Sequence, residues 1–293
     1  VQRKRLPLWL ASSRMTLTLR NFIIIVLLLL LALAGYLMRW DARIGLWIGE
    51  AQTSAPMRAT QLWLPGYTAV TQIEVPGFEK EEFSALAYDP ASDTLFTVSG
   101  KRPLLIELSL EGKVLRSIPI TGAANLEGVA VLGDGYMAIS DERQHNLSIF
   151  RINADTRALD VKEFVQQVDL APVGESNKGF EGLAWDARNQ RFLLGNEKNP
   201  LALYELASDG RKITGKLREL ASLGSLMTDL SGLTVDPKSG HILALSQESH
   251  LLVELAADYR PLNFIALLRG LHGLEHFIPQ AEGVALDVAG NLY

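Results

Sequence analysis

Phe180-Glu-Gly-Leu-Ala-Trp-Asp186 is the stretch on which the fold turns. Four other segments follow it closely: Phe83-Ser-Ala-Leu-Ala-Tyr-Asp89, Leu126-Glu-Gly-Val-Ala-Val131, Leu230-Ser-Gly-Leu-Thr-Val-Asp236 and Ala281-Glu-Gly-Val-Ala-Leu-Asp287. The pattern is apolar, Glu or Ser, Gly or Ala, Leu or Val, Ala or Thr, apolar, then usually Asp. Its third positions are Ala85, Gly128, Gly182, Gly232 and Gly283, spaced 43, 54, 50 and 51 residues apart. A period of this size suits the four-stranded blade of a β-propeller.

Each repeat continues in the same way. A turn follows, as in Asp89-Pro90 and Asp236-Pro237, where Pro after Asp suits a type I turn. A second strand is predicted at 95–99, 136–140, 191–195 and 241–246, and a third at 104–108, 147–152, 201–206 and 251–255. A more variable fourth falls at 115–120, 161–168, 215–220 and 262–267. Side chains two apart in a strand share a face. Gly and Ala at alternate positions therefore keep one face thin, so that inner strands can crowd round an axis. Five motifs predict five blades, and Gln61–Val75 leaves room for a sixth. The fifth repeat reaches Tyr293 in its second strand, so the last blade reads as truncated, with roughly 15–25 residues expected to follow. Thr71–Pro76 reads as a fourth strand that completes this blade and closes the ring.

Crowding does not account for the Glu. The first strand starts, and the antiparallel second strand ends, on the same face of the propeller. That topology gathers Ser84, Glu127, Glu181, Ser231 and Glu282 with Glu142, Glu197 and Glu248, and with Asn125 and Asp229, round one mouth of the channel. Close carboxylates raise one another's pKa unless something compensates. A hard cation such as Ca²⁺, which takes six to eight oxygen ligands, would do so, with Glu127, Glu181 and Glu282 as candidate metal ligands. So would Lys101, Arg102, Arg143 and Lys198 in the same loops, or a cationic ligand held by Glu142, Glu197, Glu248, Asn125 and Asp229. Alternatively, each Glu accepts hydrogen bonds from backbone N–H groups of the next blade.

The 293 residues carry 28 Lys and Arg against 33 Asp and Glu, a net charge of −5. This balance disfavours nucleic acid as a partner. The absence of cysteine removes disulfides, thiolate metal sites and cysteine nucleophiles. The charge is uneven. Residues 1–20 hold Arg3, Lys4, Arg5, Arg14 and Arg20 and no acid, and the remainder has 23 basic against 33 acidic groups. Between them, 21–38 is uncharged, and Phe22–Met38 would span about 26 Å as a helix, enough to cross a bilayer. Only Arg39, Arg43 and Arg58 follow closely, so the positive-inside rule puts 1–20 in the cytoplasm as a basic stub and the body outside it. Ala32-Leu33-Ala34 also resembles a signal-peptide cleavage site, and cleavage would export the body equally. Residues 39–60 read as a linker with a short interfacial helix at Ile44–Ile48, and 61–293 as the propeller.

His272-Gly-Leu-Glu-His276 matches the inverted zinc-protease motif, but Gly270, Gly273 and Pro279 argue against the helix that chemistry needs. No nucleophile elbow or phosphate loop is present.

The runs 125–130 (Asn-Leu-Glu-Gly-Val-Ala), 179–186 (Gly-Phe-Glu-Gly-Leu-Ala-Trp-Asp) and 229–234 (Asp-Leu-Ser-Gly-Leu-Thr), the Ser-x-Glu loops and the apolar leader resemble the SdiA-regulated family over about residues 20–293. The resemblance implies a β-propeller held outside the inner membrane of Gram-negative bacteria by a single N-terminal helix. It also implies kinship with NHL-repeat and phytase-like propellers, some of which bind calcium or hydrolyse esters. The expected function is a membrane-anchored periplasmic propeller that binds a small molecule or an envelope protein at its acidic mouth, with Ca²⁺ as a candidate cofactor. The alternative is a metal-dependent hydrolase of esters, lactones or phosphoesters using the same carboxylates.

Overall fold

The computed structural model describes residues 9–78, 81–170, 173 and 179–293. Arg3, Lys4 and Arg5 of the expected basic stub lie outside them. The chain opens with helix α1 (Trp9–Leu37), of which Thr18–Leu37 is long and apolar enough to cross a membrane, with a mean hydropathy of 2.3. None of that segment is buried against the rest of the protein.

The expected linker is largely helical. Arg39 adopts a left-handed conformation, and α2 (Trp40–Gln52) and α3 (Ala55–Arg58) follow. The reason is tertiary: α2 packs on the propeller, burying Leu46 among Leu223, Met227 and Leu230, and Glu50 accepts a 2.9 Å hydrogen bond from Phe264 N.

The body consists of antiparallel sheets. Blade I comprises β1 (Ala87–Asp89), β2 (Thr94–Ser99), β3 (Leu104–Leu108) and β4 (Val114–Thr121). Blade II is built from β5 (Leu126–Gly133), β6 (Tyr136–Asp141) and β7 (Asn146–Arg151), then a detour through β8 (Leu159–Asp160), and β9 (Gln166–Asp169). β8 leaves its own blade and pairs in parallel with β4, covering the outer edge of blade I. Blade III is β10 (Phe180–Asp186), β11 (Arg191–Asn196), β12 (Ala202–Ala207) and β13 (Arg218–Ser222). Blade IV is β14 (Gly232–Val235), β15 (Ile242–Ser246), β16 (Leu251–Leu255) and β17 (Pro261–Ala266). Observed strands match the expected ones to within a few residues. The exception is the expected fourth strand at 161–168, which begins as a 3₁₀ turn at Val161–Glu163 and is extended only from Gln166.

The blade count differs from expectation. Among the described residues four blades are complete, where the motifs predict five and leave six open. In the fifth repeat, Ala285 and Tyr293 exchange backbone hydrogen bonds of 3.1 and 3.0 Å, and Leu286 bridges Leu292, which makes a hairpin. Thr71–Pro76 forms no strand, since among the described residues there is no third strand of the fifth repeat for it to pair with. Val75 and Phe78 instead pack with Leu95, Leu108 and Tyr293 between the hairpin and blade I. Beside the hairpin lies an apolar cavity of about 380 Å³, lined in part by Phe83, Leu252, Ile265, Leu274 and Ile278.

The motif glycines lie where adjacent repeats meet. A Cβ on Gly128 would come within 2.6 Å of Leu183 Cβ in blade III, and one on Gly182 within 2.8 Å of Leu233 in blade IV. On Gly232 it would come within 3.0 Å of the Glu282 carbonyl, and on Gly283 within 2.6 Å of the backbone of Ala85 and Leu86. These contacts link blade II to III, III to IV, IV to the fifth repeat and the fifth repeat back to blade I. Ser231 Oγ donates to Ala281 O (2.8 Å) and Ser140 Oγ to Phe180 O (3.3 Å), so hydroxyls on the inner two strands also bridge neighbouring repeats. The motif Asp has a local task at the far end of the strand. Asp89, Asp186, Asp236 and Asp287 accept from backbone N–H groups of the following turn at 2.8–3.1 Å.

Blade IV also receives the segment after α3. Glu254, fully buried, accepts from Leu62 N (2.9 Å), Trp63 N (3.1 Å) and Asn263 Nδ2 (2.7 Å) and lies 2.6 Å from His241 Nδ1. Asn263 Oδ1 in turn accepts from Leu64 N at 2.9 Å. All polar groups in this cluster are therefore partnered, as burial demands.

Two glycine substitutions test this account of the packing. Gly283→Ala pushes a methyl into the backbone of blade I and is expected to cost about 1–3 kcal/mol, the usual range for overpacking. Gly49→Ala in α2 meets nothing within 4 Å. It should be neutral, or stabilise by up to about 1 kcal/mol through helix propensity. Thermal unfolding of both variants, followed by tryptophan fluorescence, checks the contrast.

Candidate binding site at the acidic channel mouth

The mouth is formed where first strands start and second strands end. In β5 the ladder pairs Leu126 with Asp141 and Gly128 with Ser140, which leaves Glu127 as an extra residue. In β10 it pairs Phe180 with Asn196 and Gly182 with Gly195, which leaves Glu181 extra. Each of these glutamates thus occupies a β-bulge, a device that re-aims a side chain at the end of a ladder. The flanking sequence gives no sign of these bulges.

Several of the expected residues meet. Asn125 Nδ2 donates to Glu127 Oε1 (2.6 Å) and to Glu142 Oε2 (2.9 Å). Glu142 Oε1 accepts from Gly179 N of the next blade at 3.1 Å, as the backbone-acceptor alternative predicts for this one glutamate. Glu181 shares a hydrogen bond with Glu197 and feels the charges of Glu127 and Glu142, while Glu127 feels Glu142 and Glu282. Glu197 is buried, and Lys198 links it (3.4 Å) to Glu248 at the exposed rim. These residues are neighbours at one end of the axis but differ in depth, which the sequence does not rank.

Asp229 has a different part. Its carboxylate accepts from Ser246 Oγ and from the backbone N–H groups of Gln247 (3.2 Å) and Glu248 (3.1 Å), which holds the β15–β16 loop in place. Asp141, which the sequence reading passes over, does the same in blade II for Ala124 N (2.6 Å), Asn125 N (3.2 Å) and Gln144 N (3.0 Å). The cations of blade I pair with acids outside the repeat motifs, Lys101 with Glu82 (2.7 Å) and Arg102 with Glu81 (2.5 Å). Glu81 and Glu82, not anticipated from the repeats, thereby join the rim. His272–His276 lies in a loop: His272 is left-handed, and Gln72 Oε1 accepts from Glu275 N (2.8 Å) and His276 N (2.9 Å).

Burial and like charge raise the inner carboxyls. Glu127 is pushed up to about 7, first by burial and then by Glu142 and Glu282, against hydrogen bonds from Ser84 and Asn125. Glu282 reaches about 7 through burial and Glu82. Glu181 reaches about 9 through burial, Glu197 and Glu127. At neutral pH the hydrogen-bonded Glu181–Glu197 pair therefore holds a proton, and Glu127 and Glu282 are shared between protonated and charged forms. The donors are all oxygen, which suits a hard cation in chemistry. Among the described residues, however, no three acidic or His side chains close into a metal-binding cluster.

The other end of the axis is unlike the first. The strand ends there line an apolar bowl of about 270 Å³ that includes Tyr88, Val131, Trp185, Val235 and Val288. One end of the axis is thus acidic and the other apolar.

The SdiA-regulated family model matches residues 59–293, the whole body after the helical segment. The chain belongs to the SdiA-regulated family. Among solved structures, this SdiA-regulated protein is similar to a chain of a nidogen–laminin complex at 17% identity and a TM-score of 0.48, covering 73% of this chain and 71% of that one. It is also similar to a luciferin-regenerating enzyme at 14% identity and a TM-score of 0.43, covering 73% and 82% respectively.

The raised carboxyls have a consequence for stability. In the unfolded chain glutamate titrates near its ordinary 4.5, so the folded SdiA-regulated protein binds more protons from pH 4.5 up to about 7 at Glu127 and Glu282, and up to about 9 at Glu181. Stability must fall as pH rises through that window. The melting temperature in chelator is expected to drop by several °C between pH 5 and pH 9, and Glu181→Gln should flatten the slope between pH 7 and 9. A wild-type melting temperature that rises over this interval would contradict the assignment.

Proposed function

We propose that the protein is a membrane-anchored propeller that binds a cationic ligand, or the basic surface of a partner protein, at its acidic mouth. One observation carries the reading. Glu127, Glu142, Glu181, Glu197 and Glu282 lie within electrostatic reach of one another, and Lys198 touches this group through Glu197. A bound positive charge would offset the burial and the like-charge repulsion that together raise Glu127 and Glu181. Ca²⁺ is the simplest such ligand, with Glu127, Glu181 and Glu282 as candidate donors, and α1 supports attachment to the bacterial inner membrane with the propeller on the periplasmic side. The Nδ2 of Asn125 is hydrogen-bonded to two carboxylates, which pre-organises Glu127 and Glu142.

Thermal unfolding of the full-length protein in detergent, with Ca²⁺ or with chelator, tests the proposal. A ligand held by the folded state alone must raise the melting temperature. A rise of a few °C at millimolar Ca²⁺, lost in Glu181→Gln, is expected. No shift would remove calcium from the reading. Turnover of an ester or phosphoester panel in the presence of metal would replace it with the hydrolase reading.

A further inference from the structure

Helix α2 has two distinct faces. Arg43, Leu46 and Glu50 turn to the propeller. Trp40, Ile44, Trp47 and Ile48, at i, i+4, i+7 and i+8, form a second stripe that is 47, 57, 65 and 45% exposed. Four large apolar side chains on one exposed helical stripe signal an interaction surface. The stripe begins three residues after the apolar span of α1 ends at Leu37, with Met38 and Arg39 between. Trp is the residue type favoured at the level of lipid headgroups.

The attachment of α2 is specific. The Arg39 guanidinium donates to Gly224 O and Ser225 O, both at 2.5 Å, and Arg43 Nη2 donates to Ser249 O. Gly224 and Ser225 lie in the connection from β13 to β14, and Ser249 lies in the β15–β16 loop beside Glu248. All three acceptors belong to loops at the acidic end of the propeller. The span is thus fastened to the acidic-end rim of blade IV with almost no slack.

We infer that α2 is an interfacial clamp, with Trp40, Ile44, Trp47 and Ile48 seated in the bilayer surface and the acidic-end rim of blade IV held next to it. This inference rests on the reading of α1 as a membrane span. It goes further in fixing the pose: the mouth opens beside the lipid surface, and ligands reach it through the layer next to the membrane. An amphipathic helix with Trp and Ile on its apolar face lies in that layer for the same physical reason that free amphipathic peptides do.

The lack of native cysteine makes site-directed spin labelling direct. Full-length protein is reconstituted into phospholipid bilayers with single cysteines at Ile44→Cys, Trp47→Cys and, within the span, Leu28→Cys. Power saturation compares relaxation by oxygen, which concentrates in lipid, with relaxation by a water-soluble nickel chelate. All three sites are expected to favour oxygen. If Leu28 favours oxygen while 44 and 47 favour nickel, the clamp is wrong and the span stands. If 44 and 47 are shielded from both, a second copy or another protein covers the stripe, and the clamp is again wrong. If Leu28 favours nickel, the span itself fails. Fluorophores at Ser225→Cys on the acidic-end rim and Asp258→Cys in the β16–β17 turn at the opposite end then report the pose. Energy transfer to a lipid-borne acceptor should be stronger from 225; equal or reversed transfer overturns the placement.

Discussion

Inner strands of adjacent repeats approach so closely that a single methyl group would collide with the neighbour. Gly128, Gly182, Gly232 and Gly283 permit this approach, and most of the remaining architecture depends on it. Close packing brings Leu183 and Leu233 against the thin faces and lets Ser231 reach across to the next repeat. It also forces the residue before each glycine into a narrow ring at one end of the axis. Where that residue is Glu, crowding of backbones becomes crowding of charge.

The ring is therefore electrostatically expensive, and the expense is spread unevenly. Ser84 and Asn125 donate to Glu127, Gly179 donates to Glu142, and Lys198 sits between Glu197 and Glu248. Glu181 has Glu197 as its hydrogen-bond partner, a bond that two carboxyls can make only by retaining one proton between them. Function commonly resides at such places, where a fold sustains an arrangement that is unfavourable for stability alone. The apolar bowl at the other end of the axis contains no comparable tension.

Much of this was legible in the sequence. The repeat spacing fixes a blade of four strands, and the alternation of small residues explains why motif three is Gly. The shared face of first-strand starts and second-strand ends locates the mouth. Three things were not legible, for physical reasons. The bulges at Glu127 and Glu181 arise from ladder registry between strands, to which neither strand's own sequence points. Asp229 resembles a site residue because it precedes a motif, yet loop backbone N–H groups claim its carboxylate. Residues 40–52 give away only the short helix expected at Ile44–Ile48, not the full length of α2 or its propeller-facing side, because their apolar residues serve two faces at once. Two superposed stripes blur the single periodicity that a sequence reading seeks. The incomplete fifth blade is the opposite case: its motif is clear, but a motif specifies only the inner strand, and pairing of the outer strands depends on partners elsewhere.

The buried Glu254, with Asn263 and His241, ties Leu62, Trp63 and Leu64 to blade IV, after α2 has already been tied to the same blade. The chain is thus pinned twice to one sheet before it enters the ring. Mechanically, blade IV is the abutment. Traction along α1 would be resolved into shear across those two attachments. It reaches the inner strands of the ring only after both have yielded.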